Sequence, residues 1–119
     1  MRDRMEGSEE RHARLARNET VFREVNEQIE GLNALGDDLP TFGIVCECGS
    51  HDCAAVLTVT KAEYEAVRAQ SDRFLVQRGH QIAEIEDVVE RRAAFDVVDK
   101  KAGVPQRVAE ATDPRRSPT

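Results

Sequence analysis

Apolar positions recur with a helical period at the start of the chain and with a shorter period further on. Leu15, Phe22, Val25, Ile29 and Leu32 follow one another at spacings of 7, 3, 4 and 3, as on one face of a helix. Ser8 offers a capping hydroxyl, and Glu9 and Glu10 suit the positive end of the helix dipole. Gly36 offers a stop. The pattern predicts an amphipathic helix over 8–35, packed by this stripe on its own sheet. Gly31 costs about 1 kcal/mol relative to Ala and marks an alternative end. The near-heptad spacing also suits a seam for a protein partner or a homodimer, though the heptads are too few for a coiled coil.

After a turn at Asp37-Asp-Leu-Pro40, the chain alternates. Phe42-Gly-Ile-Val-Cys46 and the run over 54–60 read as two strands. Thr60-Lys-Ala-Glu63 is a capping box, which opens a short helix ending near Gln70. Tyr64 and Val67, with Ala66 beside them, are expected to face inward on it. Phe74-Leu-Val, within 73–77, is a third strand, and Arg78-Gly-His80 turns out of it. Residues 82–91 fit a helix or a strand, because short apolar runs carry both periods. A hairpin of about 85–91 and 94–100, joined at Arg92-Ala93, is favoured. Beyond Gly103 three prolines and little apolar content predict a tail. The expected fold is α+β: a long N-terminal helix, a short capped helix and a small antiparallel sheet. The expected domain spans 8–101, with flexible tails at 1–7 and 103–119.

The 119 residues are 39% hydrophobic, with five aromatics and no Trp. Such a chain has a modest aliphatic core that a metal staple would help to close. All three cysteines fall within Cys46-Glu-Cys-Gly-Ser-His-Asp-Cys53. In a strand, Cys46 and Cys48 project to one side. Gly49 permits a tight reversal that brings Cys53 back beside them. Thiolates and imidazoles in a set of four suit tetrahedral zinc. His80, after Gly79, is the fourth ligand candidate, and His51 inside the loop competes with it. The alternatives are three unligated buried thiols, or one disulfide with a spare thiol. The odd count disfavours a disulfide framework. The C-x-C-x4-C spacing is similar to the zinc-binding tail of histone-methyltransferase SET domains, but no SET-domain signature accompanies it.

A wider pattern carries a second resemblance. Arg17-Asn-Glu-Thr-Val-Phe-Arg-Glu-Val-Asn26 precedes Cys46-Glu-Cys-Gly and Cys53. Glu63-Tyr-Glu-Ala-Val-Arg68, Phe74-Leu-Val, Gly79-His80 and Val97-Val-Asp-Lys100 follow. Over roughly residues 10–100 this resembles a group of small uncharacterised bacterial proteins, mainly from actinomycetes. The resemblance implies that Cys46, Cys48, Cys53 and His80 belong to one constellation. It implies no activity.

Charge narrows the function. The net charge is −6, and residues 24–60 carry seven acids and no Lys or Arg. A knuckle in that acidic third repels phosphates, so nucleic acid is not an expected partner. No run approaches the roughly 18 apolar residues of a membrane span. Reduced thiols able to hold metal suit the cytoplasm. The sequence carries neither H-E-x-x-H nor the deaminase H-x-E with P-C-x-x-C, and no phosphate loop. No catalytic residues are assigned. Glu84, Glu86, Asp87 and Glu90 read as a solvated face. His12, among charges, reads as solvated too. The expected role is a zinc-binding regulatory or protein-interaction module. A redox or metal sensor that releases zinc on thiol oxidation is the alternative. A zinc-dependent hydrolase with Glu47 as base is a remote third.

Overall fold

The computed structural model describes residues 2–50 and 52–115. Its elements in chain order are α1 (Arg2–Leu35), β1 (Thr41–Val45), β2 (Val56–Thr60), α2 (Lys61–Arg68), β3 (Arg73–Val76), β4 (Glu86–Arg91), β5 (Asp96–Lys100) and α3 (Val104–Ala111). The α+β architecture is as expected, with the strands divided between two sheets. β1 and β2 form an antiparallel pair running from Thr41 opposite Thr60 to Val45 opposite Val56. The other sheet is antiparallel with order β3-β5-β4. Its register shifts between Val88 and Glu90, a bulge that leaves Val89 exposed. Residues 86–91 are thus strand, which settles their ambiguous period.

α1 starts at Arg2 rather than at Ser8, and it passes through Gly7 and Gly31. It stops at Leu35 as expected, but Gly36 is not the left-handed residue that turns the chain. Asp38 takes that role, with φ of 48°, a conformation aspartate tolerates better than most side chains. The Asn33 side chain clasps the turn. Its amide donates to the Leu39 carbonyl at 3.0 Å, and its carbonyl accepts from the Leu39 N–H at 3.1 Å.

The face α1 presents inward is polar, which corrects the expected packing. Ala16, Glu19, Thr20, Arg23 and Asn26 are buried. Of the apolar stripe, Ile29 packs on the core, Leu15 and Phe22 are half-buried, and Val25 and Leu32 are exposed. The reason is satisfaction of polar groups, which are tolerated inside only when paired. Arg23 donates to the carbonyls of Ser71 at 2.7 Å and Ala109 at 2.8 Å. Its guanidinium also lies 4.5 Å from the centroid of the Phe74 ring. Lys100, on the central strand β5, is buried and bonds Glu19 of α1 and Glu86 of β4. Glu86 is therefore not on a solvated face.

The capping box forms as read. The Glu63 N–H reaches Thr60 Oγ1 at 3.0 Å, and the Thr60 N–H reaches Glu63 Oε1 at 2.8 Å. Tyr64 and Val67 are buried on α2 as expected, whereas Ala66 is exposed and Arg68 takes the inward place. The Tyr64 hydroxyl donates to Glu27 at 2.7 Å. The segment after Gly103, expected as a tail, instead carries α3. Pro105 stands at the start of the helix, where its missing N–H costs nothing. Pro105 and Ala109 are buried. Beyond the helix, Asp113 pairs with buried Arg68 at 2.5 Å, and Arg115 reaches Glu27, Glu30 and Glu65. Two apolar clusters result. One holds Ile44, Leu57, Val59, Tyr64, Val67, Leu75, Phe95 and Val97. The smaller one joins Cys46 and Cys48 to Phe74, Val76, Val98 and Ala109.

The inverted helix makes a direct prediction. Arg23→Met strands two carbonyls and unbalances the buried carboxylates, so it costs about 3 kcal/mol or more of stability. Leu35→Ser, at an 88% exposed site, changes stability by no more than about 0.5 kcal/mol. Urea denaturation of dilute protein checks both values.

Candidate metal centre

β1 ends at Val45, and the chain passes Cys46 into a turn at Glu47 and Cys48. The Cys46 N–H bonds the Ala55 carbonyl at 3.1 Å, and the Glu47 N–H bonds the Leu75 carbonyl at 2.9 Å. The chain after β1 is thus tied first to the segment before β2 and then to β3. The turn at Glu47 and Cys48, rather than the expected strand alternation, sets the Cys46 and Cys48 sulfurs beside Cys53 and His80 while Glu47 points inward. The Glu47 side chain is fully buried. It accepts from the Asn26 amide at 2.7 Å and the Leu75 N–H at 2.9 Å. Asn26 also donates to the Val45 carbonyl and accepts from the Val45 N–H, both at 2.8 Å.

Gly49 makes the reversal. Its φ is +77°, and a Cβ there would meet Asn18 Cβ and the Glu19 nitrogen at 3.0 Å. Only glycine meets both the left-handed backbone and the close approach to α1. A turn closed by the Cys53 N–H on the Ser50 carbonyl, at 3.2 Å, returns Cys53. On the far side, β3 ends and the Gln77 N–H donates to Cys46 Sγ at 3.0 Å. Gly79, with φ of +84°, turns the chain. Its N–H is held at 3.0 Å by the buried carboxylate of Asp96, and the His80 N–H closes on the Gln77 carbonyl at 2.9 Å.

These turns converge four ligand atoms. Those of Cys46, Cys48, Cys53 and His80 all lie within 4.8 Å of one another. His80 Nδ1 stands 3.8 Å from Cys46 Sγ and 3.5 Å from Cys53 Sγ. A zinc tetrahedron with ordinary bond lengths has S–N edges of about 3.6 Å and S–S edges of about 3.8 Å. The residues present therefore fit a metal ion. All three cysteines are free thiols, so no disulfide competes. His51, the competing ligand, lies outside the described residues.

Burial pushes the Cys46 thiol well up and the Cys48 thiol up. Backbone N–H groups oppose it, from Gln77 and Cys48 on Cys46 and from Ser50 on Cys48. Amides aimed at sulfur favour thiolate, and a dication among the sulfurs reverses the cost of burying that charge. One side of the cluster meets solvent through a hollow of about 330 Å³ between Cys48, Cys53, His80 and Ile82, with Ser50 and Asp52 on its rim.

The carboxylates divide differently from the sequence reading. Glu47 is committed to Asn26 and Leu75 and is closed to solvent, which removes it as a base for metal-bound water. Glu84 is exposed and pairs with Arg11 at 3.0 Å and with His12 at 3.2 Å. Asn26 and Asp96 are the site residues that sequence reasoning missed, and Glu47 was named there only as a base, where the structure makes it a buried anchor. A signal was present, because Glu19, Arg23 and Asn26 recur at helical spacing. Comparison with protein families, with curated proteins and with solved structures finds no match to the chain. The assignment therefore rests on geometry.

Glu47→Gln keeps the shape but turns an acceptor into a donor facing Asn26 Nδ2 or the Leu75 N–H. Support of this kind behind metal ligands is worth about 10- to 100-fold in metal affinity. A chelator competition titration should show a loss of that size, with all four ligands intact.

Proposed function

We propose that this chain is a small protein-interaction module whose fold is locked by a structural Cys3His zinc site. The observation that carries the reading is the convergence of three thiols and one imidazole within 4.8 Å. Soft sulfur with one nitrogen in a tetrahedral set favours zinc over the hard cations, which take oxygen. Four protein ligands leave no coordination position for a substrate or an activated water, as a catalytic zinc site requires. The site thus supports structure rather than hydrolysis. Cys46 and Cys48 belong to the smaller apolar cluster, so the ion sits where the core is thinnest. Cys46, Cys48 and Cys53 bind as thiolates, and His80 binds through Nδ1.

The reading predicts one zinc per chain by elemental analysis. Chelation should lower the melting temperature, and restoring zinc should raise it, because a ligand of the native state adds RT ln(1 + [L]/Kd) to stability. His80→Ala should lose the ion and His51→Ala should keep it. A well-folded chain that binds no zinc overturns the proposal.

A redox sensor is the second reading, favoured by one observation. Cys48 and Cys53 line the hollow open to solvent, and Cys53 is only half-buried. Thiolates of this kind are targets for peroxide. Two thiolates, hydrogen peroxide and two protons give one disulfide and two waters, and the zinc leaves. One equivalent of peroxide should release zinc to a colorimetric chelator, and dithiothreitol with added zinc should restore the site. Retention of zinc under that treatment leaves the structural role alone.

A further inference from the structure

We propose that the outward face of α1 is the contact between two copies of this chain, paired antiparallel with the two-fold axis beside Gln28. The proposal rests on the interaction reading above, and it names the partner without depending on the ion.

The face opposite the buried polar groups carries Val21, Val25, Gln28, Leu32 and Leu35, at spacings of 4, 3, 4 and 3. This is an a/d seam two heptads long. Val21 is 60% exposed, Leu32 70% and Leu35 88%. Apolar side chains aligned on one edge of a helix mark a contact, where scattered ones would not.

Two features of this face identify the occupant as a second copy. The first is shape. Beside Val21 lies a hollow of about 270 Å³, lined by Asn18, Val21, Phe22 and Gly49. Asn18, Val21 and Phe22 are three sides of the four-residue hole that a knob enters in helix packing, and Val25 is the fourth. Leu35 stands two heptads along the same seam. With antiparallel helices crossing at Gln28, Val21 of one copy falls opposite Leu35 of the other. The most exposed knob then enters the hole twice, as a self-complementary two-fold contact requires.

The second feature is charge. Arg14 and Arg17 are exposed at the N-terminal end of the seam, and Asp37 and Asp38 are exposed just past its C-terminal end. Antiparallel pairing brings Arg17 of each copy to the acidic end of the other. Parallel pairing would set like against like. The seam is short, so the association is of the weak, concentration-dependent kind.

Sedimentation velocity on the full chain as purified, from about 1 µM to about 500 µM, tests the proposal across the range of weak protein contacts. The expected species at the upper end has twice the 13.3 kDa mass of the chain. Leu35→Glu should weaken association at least about 100-fold, as burying an unpaired charge in the seam requires. Its circular dichroism and metal content should not change. Arg17→Glu and Asp37→Arg should each weaken it about fivefold, and the double variant should regain it, since the opposed charges are restored. Monomer throughout, or a dimer indifferent to Leu35→Glu, overturns the proposal. A double variant no better than the single ones also overturns it, because the antiparallel register fails. Metal content read on the same samples separates the two proposals: a zinc-loaded monomer sinks this one alone, and a zinc-free dimer sinks the metal site alone.

Discussion

The carboxylate of Glu47 is the constraint from which the rest of the arrangement follows. It is buried with no exposed surface, between two cysteines that must point the other way. A carboxylate in such a place costs several kcal/mol unless its oxygens are met by donors. Burial pushes its carboxyl up, and the Asn26 and Leu75 amides, with Arg68 and Arg23 nearby, pull against that shift. Asn26 belongs to α1 and Leu75 to β3, so one side chain fixes the helix, the knuckle and the central sheet against each other. The turn at Glu47 and Cys48 then presents the Cys46 and Cys48 sulfurs to Cys53 and His80. The sulfur cluster and the anchor are two faces of the same three residues.

The same logic extends along α1. Glu19, Arg23 and Asn26 all enter the interior, and each meets partners from a different element. Lys100 stands between Glu19 and Glu86, 4.2 Å from the centroid of Phe74, a ring it shares with Arg23. Burial drives the Glu19 carboxyl well up despite the neighbouring Lys100 ammonium. Buried ion networks of this type are weak sources of net stability, but they penalise every alternative docking that would leave a charge alone. The helix is therefore held in one rotation by polar matching more than by apolar area. The apolar clusters are small, and one of them includes two of the three clustered cysteines. A chain of this size gains from a cross-link that substitutes for missing core.

Local signals carried much of this into the sequence. The Thr60–Glu63 box needs only four adjacent residues, and it forms as read. The strands alternate, and the C-x-C-x4-C spacing with a glycine reversal brings the thiols together because the turn is built into the segment. His80 was reachable because Gly79 announces a turn after β3. Long-range polar matching was not legible. Periodicity reports which residues share a face, and it does not report which face finds partners. Leu15, Phe22, Val25, Ile29 and Leu32 do share an edge, but the partners of Arg23 are carbonyls of Ser71 and Ala109, far away in the chain. α3 was obscured for a related reason. Three prolines suggest disorder by composition, while Pro105 occupies the one helical position that needs no N–H.

An inverted helix has a consequence for its other side. Burial of the polar face leaves the a/d positions from Val21 to Leu35 facing out, so one cause produces both the ordered site and the open seam. Gly49 ties them together. It is the left-handed pivot of the cysteine knuckle, and it is also a wall of the hollow beside Val21. A side chain there would strain the backbone and push on Asn18 and Glu19, disturbing the ligand turn and the helix face in one step. The knuckle therefore does more than present thiols. Its tip presses on α1 at the start of the exposed seam, so the position of α1 and the closure of the sulfur cluster share one contact.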